Sequence, residues 1–241
     1  MNKTLVVTAW ILAGCMLWCA VIGCDKPQTQ KQPTAKPSTP ATAKTPEASK
    51  TPQAPAGWNQ VYSADFKDVQ KVPECWAVVT GDASVADGAL VVKAAEGADA
   101  QIALKAPKCG GSVRMEVVAG LSPIGANAVC DLSAFLNSDT NGYESGYLLQ
   151  FGAAENTENR LRRAGEIIDA TVNTKPLVTP GKMHTVIAEN DGGKIRLTVD
   201  GAEVLKFTDS DPLKGPGHEA VGFYTWSDTL KIQKITVWTK P

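Results

Sequence analysis

Residues 58–241 predict an all-β fold, a sandwich or a barrel, and three observations carry that expectation. Helical periodicity is nearly absent, short runs rich in Val, Ile, Thr and aromatic residues recur every 8 to 15 residues, and Gly, Asp, Asn and Pro separate the runs. A segment of this length buries roughly 70% of its unfolded surface, enough to fold without a metal or a disulfide. Candidate strands lie near 58–66, 75–79, 82–86, 89–95, 99–105, 112–119, 127–137, 145–151, 158–163, 166–172, 182–190, 194–200, 202–208, 219–226 and 229–239.

Taken along the chain, the turns and the alternation support this register. Asp87-Gly88, Asp191-Gly192-Gly193 and Asp200-Gly201 supply residues that tolerate positive φ between strands. In Val129–Leu136 the even positions Cys130, Leu132, Ala134 and Leu136 form an apolar face, with Asp131, Ser133 and Phe135 opposite. In Gly146–Gly152 the positions Tyr147, Leu149 and Phe151 oppose Leu148 and Gln150. Ile195, Leu197 and Val199 alternate with Arg196, Thr198 and Asp200, which reads as a strand with one solvated side. Leu230 and Ile232 share one parity while Ile235 and Val237 share the other, so a β-bulge is expected near Gln233-Lys234.

The N-terminal part reads differently. Lys3 precedes an uncharged apolar run from Leu5 to Gly23, long enough for an export signal or a membrane span. Its end, Val21-Ile22-Gly23-Cys24, resembles the bacterial lipobox, which implies a signal peptide over 1–23, lipidation of Cys24 and a membrane anchor; an uncleaved helix is the alternative. Asp25 resembles a retention signal for the inner membrane, but the choice of membrane stays open. Within the linker 24–57, residues 25–57 hold seven prolines, six threonines and five lysines and no Val, Ile, Leu, Met or aromatic residue, so they predict a disordered, semi-rigid tether.

Charge and composition exclude several functions. Residues 58–241 hold 18 of the 24 basic and 23 of the 25 acidic side chains, a net of −5, which disfavours a nucleic-acid partner. Two histidines and six cysteines without CxxC spacing argue against a zinc centre, and no cofactor or metal is expected. Beyond the signal the cysteines are Cys75, Cys109 and Cys130; parity makes Cys130 a buried thiol, which leaves Cys75 with Cys109 as a candidate disulfide.

The order Trp58-Asn59-Gln60-Val61-Tyr62-Ser63-Ala64-Asp65-Phe66, Trp76, Gly146-Tyr147-Leu148-Leu149-Gln150-Phe151-Gly152, His184-Thr185-Val186, Leu197-Thr198-Val199-Asp200-Gly201 and Gly222-Phe223-Tyr224-Thr225-Trp226 resembles the concanavalin A-like lectin/glucanase sandwich. Within it the chain resembles the 3-keto-disaccharide hydrolase domain family. The resemblance implies two antiparallel sheets in a jelly roll whose concave face is open to a carbohydrate or glycan ligand. Where those enzymes carry Gly-Tyr-Glu-x-Gln, this chain has Leu148 in place of the carboxylate and keeps Gln150.

The candidate site follows from that face. Saccharide recognition needs flat rings for CH surfaces and planar polar groups for hydroxyls. Asp131, Ser133, Gln150, Asn156, Asn159, Arg160 and Arg162 are the expected polar floor, with Tyr224 and Trp226 as aromatic platform. Glu144, Glu155, Glu158 and Glu166 are scattered over loops and strand ends; a catalytic pair would have to join Asp131 to Glu166 or Asp169 across strands. Trp76 reads chiefly as packing, His184 as a satisfied or sheet-edge side chain, and His218 as solvent-facing. Three functions are therefore in contention: a lipid-anchored glycan-binding domain, a hydrolase of 3-keto-glycosides or related sugars, and a structural or protein-binding surface domain.

Overall fold

The computed structural model describes residues 54–123 and 131–240. Its strands, in order, are β1 (Asn59–Asp65), β2 (Trp76–Thr80), β3 (Asp82–Ala86), β4 (Ala89–Lys93), β5 (Asp99–Leu104), β6 (Val113–Pro123), β7 (Leu132–Ser138) and β8 (Tyr147–Gly152). They continue as β9 (Glu158–Arg163), β10 (Glu166–Ile167), β11 (Met183–Asp191), β12 (Lys194–Val199), β13 (Ala202–Thr208), β14 (Ala220–Trp226) and β15 (Asp228–Thr239). One antiparallel sheet runs β13-β12-β11-β6-β15-β4-β3 with β1 also paired to β15, and the other runs β10-β9-β8-β7-β14-β5-β2. Chain neighbours are shared between the two sheets, which is the jelly-roll way of closing a sandwich.

The core lies between the sheets. Leu90, Val92, Met115, Val117, Val186 and Leu197 of the first sheet meet Ile102, Leu132, Leu136, Leu149, Phe151 and Phe223 of the second, all buried. Each such side chain contributes roughly 2 kcal/mol by leaving water. The expected parities hold: Leu132, Ala134 and Leu136 point inward while Phe135 joins Leu148 and Ala103 in a smaller cluster on the other face. In β12, buried Ile195, Leu197 and Val199 alternate with more exposed neighbours. Asp87-Gly88, Gly192-Gly193 and Asp200-Gly201 adopt positive φ, as hairpin turns need.

The bulge in β15 falls where the phase change places it, with the register against β6 shifting between Ile232 and Lys234. Before it, Thr229–Ile232 pair with β4; after it, Lys234–Thr239 pair with β1. One extra residue thereby turns Ile235 and Val237 into the core that Leu230 and Ile232 already face.

Several expectations need correction. The run 166–172 is a strand only at Glu166–Ile167; Asp169–Thr171 is a 3-10 turn, held because the Thr171 hydroxyl accepts from Leu161 N–H at 3.0 Å and donates to the Ile168 carbonyl at 2.7 Å. Cys75 and Cys109 are free thiols rather than a disulfide. Their side chains turn to different partners: the Cys75 thiol meets Tyr62, while Cys109 donates to the Pro107 carbonyl at 3.2 Å, and burial pushes its thiol up to about 12. Trp76 is the packing residue expected, buried in the core, stacked on Phe223 and donating to the Tyr62 hydroxyl at 2.9 Å. His184 is satisfied by Asp200 at 2.9 Å but stands on an interior strand, not an edge. His218 is half-buried, with Nδ1 at 3.1 Å from the Asn137 carbonyl. The expectations for residues 1–53, Cys24 among them, and for Cys130 lie outside the described residues.

Candidate functional site

Register assembles a site on the outer face of the second sheet. Five strands contribute one residue each to a straight row: Gln101 of β5 pairs with Tyr224 of β14, Tyr224 with Ser133 of β7, Ser133 with Gln150 of β8, and Gln150 with Arg160 of β9. A parallel row two residues away runs Ala103, Gly222, Phe135, Leu148, Arg162. The polar row thus rests beside an apolar one, because side chains two apart on a strand share a face. Gly222 is required here: a Cβ would collide with the Phe135 ring and the Ile102 carbonyl.

The polar row is connected by hydrogen bonds. Asp131, just before β7, accepts from the Ser133 hydroxyl on Oδ1 and from Gln150 Nε2 at 3.0 Å on Oδ2. Gln150 Oε1 in turn accepts from Arg160 Nε at 2.8 Å and Arg162 Nε at 3.0 Å. Arg160 gives Nη1 to Glu158 at 2.8 Å, and Arg162 gives Nη1 to the Gly165 carbonyl at 2.8 Å. One glutamine therefore fixes two guanidiniums against one buried carboxylate. Burial pushes the Asp131 carboxyl up to about 6; the bonds from Ser133 and Gln150 and the Arg160 charge pull it back, and the nearby Asp228 adds to the rise.

A cleft of about 220 Å³ opens over this network. Its floor is Asp131, Gln150, Arg160 and Arg162, and its aromatic wall is Tyr143, Tyr224 and Trp226. Tyr143 and Tyr224 meet edge to face with centroids 5.1 Å apart, and Trp226 remains 39% exposed, unusual for so large a ring. Tyr143 is placed by the loop before β8: its N–H reaches Gln101 Oε1 at 3.2 Å, past Gly142, where a Cβ would clash with that same oxygen.

The third side of the cleft is a turn in unusual backbone. Ala154, Glu155 and Asn156 have φ of 50°, 60° and 58°, a left-handed turn built from residues with side chains. Such conformations cost about 1–2 kcal/mol per residue and need outside support. Asn156 supplies some, bonding both N–H and C=O of Val178 through its amide. Asn159 supplies more: its Oδ1 accepts from Gly152 N–H at 3.0 Å, while Nδ2 donates to Asn173 Oδ1 and to the Pro176 carbonyl. The result is that Ala154 and Glu155 line the cleft.

No family model and no curated protein sequence matches the chain. Solved structures do. The Emp47p carbohydrate recognition domain matches with a TM-score of 0.56 at 14% identity, over 79% of this chain and all of that domain. The carbohydrate-binding module CBM66 from Bacillus subtilis gives 0.55 at 18%, over 68% of this chain and 94% of that one. SCLam, a non-specific endo-β-1,3(4)-glucanase of family GH16, gives 0.54 at 11%, over 79% and 95%. The fold is a concanavalin A-like jelly-roll sandwich of two antiparallel sheets. At these identities the likeness is one of fold.

Within this sandwich the expected residues divide. Asp131, Gln150, Arg160, Arg162, Tyr224 and Trp226 line one cleft. Ser133 belongs to the same row but serves by holding Asp131. Asn156 and Asn159 are corrections: their amides are consumed by backbone and by Asn173, so they support the wall rather than face a ligand. Glu166 and Asp169 are exposed and absent from the cleft lining, so neither joins Asp131 there; Glu166 pairs with Arg163, whose parity is opposite to that of Arg160 and Arg162. Sequence reading missed Tyr143 and set Glu155 aside as a loop carboxylate. The signal for both was loop position directly before and after the Gln150 strand, where binding residues concentrate. Among the described residues no group of three or more His, Cys, Asp or Glu side chains is arranged to hold a metal.

Proposed function

We propose that this protein binds carbohydrate through the cleft on its second sheet, as a lipid-anchored extracytoplasmic domain. The observation that carries the reading is the pairing of a prearranged polar row, Asp131 to Arg160, with the half-exposed Trp226 ring beside it. A pyranose has the matching chemistry, with CH patches for the ring and hydroxyls for carboxylate, amide and guanidinium. The carbohydrate-binding domains of like fold support it. The anchor rests on the lipobox-like end at Cys24 and the Pro-rich segment after it.

A glycan array probed with the full chain in detergent tests the site. Trp226→Ala is expected to weaken the captured glycan by about tenfold, the value of one aromatic stacking contact; unchanged binding rules out the platform. Metabolic labelling with a fatty acid is expected to mark the wild type and not Cys24→Ser, and a wild type that takes up no label rules out the lipid anchor. A second reading, hydrolysis of a glycosidic bond in 3-keto-glycosides or related sugars, is favoured by Asp131, whose carboxyl sits near 6, and Glu155 lining the same cleft. It predicts sugar release that Asp131→Asn abolishes; no turnover over the bound glycans removes it.

A further inference from the structure

Arg162 stands apart from its neighbours on β9. Arg160 is paired with Glu158 at 2.8 Å and Arg163 with Asp209 at 2.7 Å, so each has its own carboxylate. Arg162 gives Nε to Gln150 and Nη1 to the Gly165 carbonyl, both neutral acceptors, and makes no ion pair among the described residues. Its Nη2 has no protein partner there. The guanidinium is half-buried and lines the cleft. A partly desolvated cation whose direct partners are neutral keeps a donor edge open to an anion.

Two phenols stand within electrostatic reach of it. Tyr143 and Tyr224 line the same cleft, and both feel the Arg162 charge. No described residue hydrogen-bonds to either hydroxyl. Burial lifts both above the ordinary phenol range, so both remain donors at neutral pH. Carboxylates also act on these phenols: Glu144, Asp99 and Asp131 on Tyr143, and Asp131 and Asp99 on Tyr224. Asp131 has both oxygens engaged by Ser133 and Gln150. Glu155 is exposed on the left-handed turn, available to ring hydroxyls.

Resting on the carbohydrate-binding reading, we propose that the cleft takes an acidic saccharide, a uronate whose carboxylate is held by Arg162 Nη2 together with the Tyr143 and Tyr224 hydroxyls. A guanidinium and two O–H donors suit a planar carboxylate, and charge-assisted bonds of this kind are about twice as strong as neutral ones. The sugar ring then lies toward Trp226.

The test titrates the full chain with tri-galacturonate, tri-mannuronate and a glucuronate trisaccharide, each beside its carboxyl-reduced neutral counterpart. At least one acid is expected to bind about tenfold tighter than its counterpart, with Arg162→Gln bringing that ratio to about one. Thermal melting shows whether the variant is folded; if it is not, Tyr143→Phe combined with Tyr224→Phe is read instead and should lower the same ratio. Equal binding of acid and neutral forms overturns the inference and leaves the carbohydrate reading standing. So does an acid preference that survives in folded Arg162→Gln. Preference for sulfated galactotriose over every uronate overturns the carboxylate assignment. Binding of no saccharide here or on the glycan array removes the carbohydrate reading as well.

Discussion

Asp131 is the residue on which the floor of the cleft depends, and its titration can be followed without knowing the ligand. In the unfolded chain its carboxyl titrates near 3.8 and in the fold near 6. Between those values the folded protein keeps a proton that the unfolded chain has released. Its contribution to stability is therefore full below about pH 4 and is lost as pH rises through about 6, a change of about 3 kcal/mol. Asp131→Asn has no such proton. Denaturant titrations from pH 4 to 7 are expected to show the wild type losing about that amount relative to the variant, and parallel curves would contradict the assignment. Carboxylates held low by partners, such as Asp200 at about 2 beside Lys182, change both proteins alike and cancel in the difference.

The left-handed turn shows how one strand ending is supported by another segment. Asn159 is buried on β9 and joins the end of β8 to the segment at 173–176 with three side-chain bonds. Removing its amide orphans Gly152 N–H and the Pro176 carbonyl together, so Asn159→Ala is expected to cost about 2–4 kcal/mol in chemical denaturation. It should also weaken glycan binding at temperatures where the variant remains folded, since Glu155 then loses its support. Normal stability in this variant would mean that the turn holds itself. The same element explains the asparagine correction: Asn156 and Asn159 have the chemistry of ligand contacts, and only their partners show that it is spent on backbone.

Two layers of strands packed over a continuous apolar interior hold the molecule together without a covalent staple among the described residues. A disulfide would add about 2–4 kcal/mol, several degrees in melting temperature for a domain of this size. Cys75→Ser is expected to shift the melting temperature by less than about 2 °C, for the half-buried thiol sits at the margin of the core beside Tyr62 and a hydroxyl fills nearly the same space. A larger fall, matched by reductant on the wild type, would show a bridge in solution.

Among the described residues and apart from the run 166–172, the strands, the hairpin turns, the inward parities and the bulge at Gln233 were legible in the amino-acid order, because alternation, turn chemistry and a change of phase are local properties. Most of the cleft followed from the same alternation: once Gln150 and Ser133 face outward, their cross-strand neighbours do too. Three things were not legible. Tyr143 enters through a loop whose path depends on Gly142 meeting Gln101, Glu155 depends on backbone propped from residues far along the chain, and the separation of Cys75 from Cys109 depends on what each thiol packs against. These are contacts between segments distant in sequence, and no local pattern encodes where they meet.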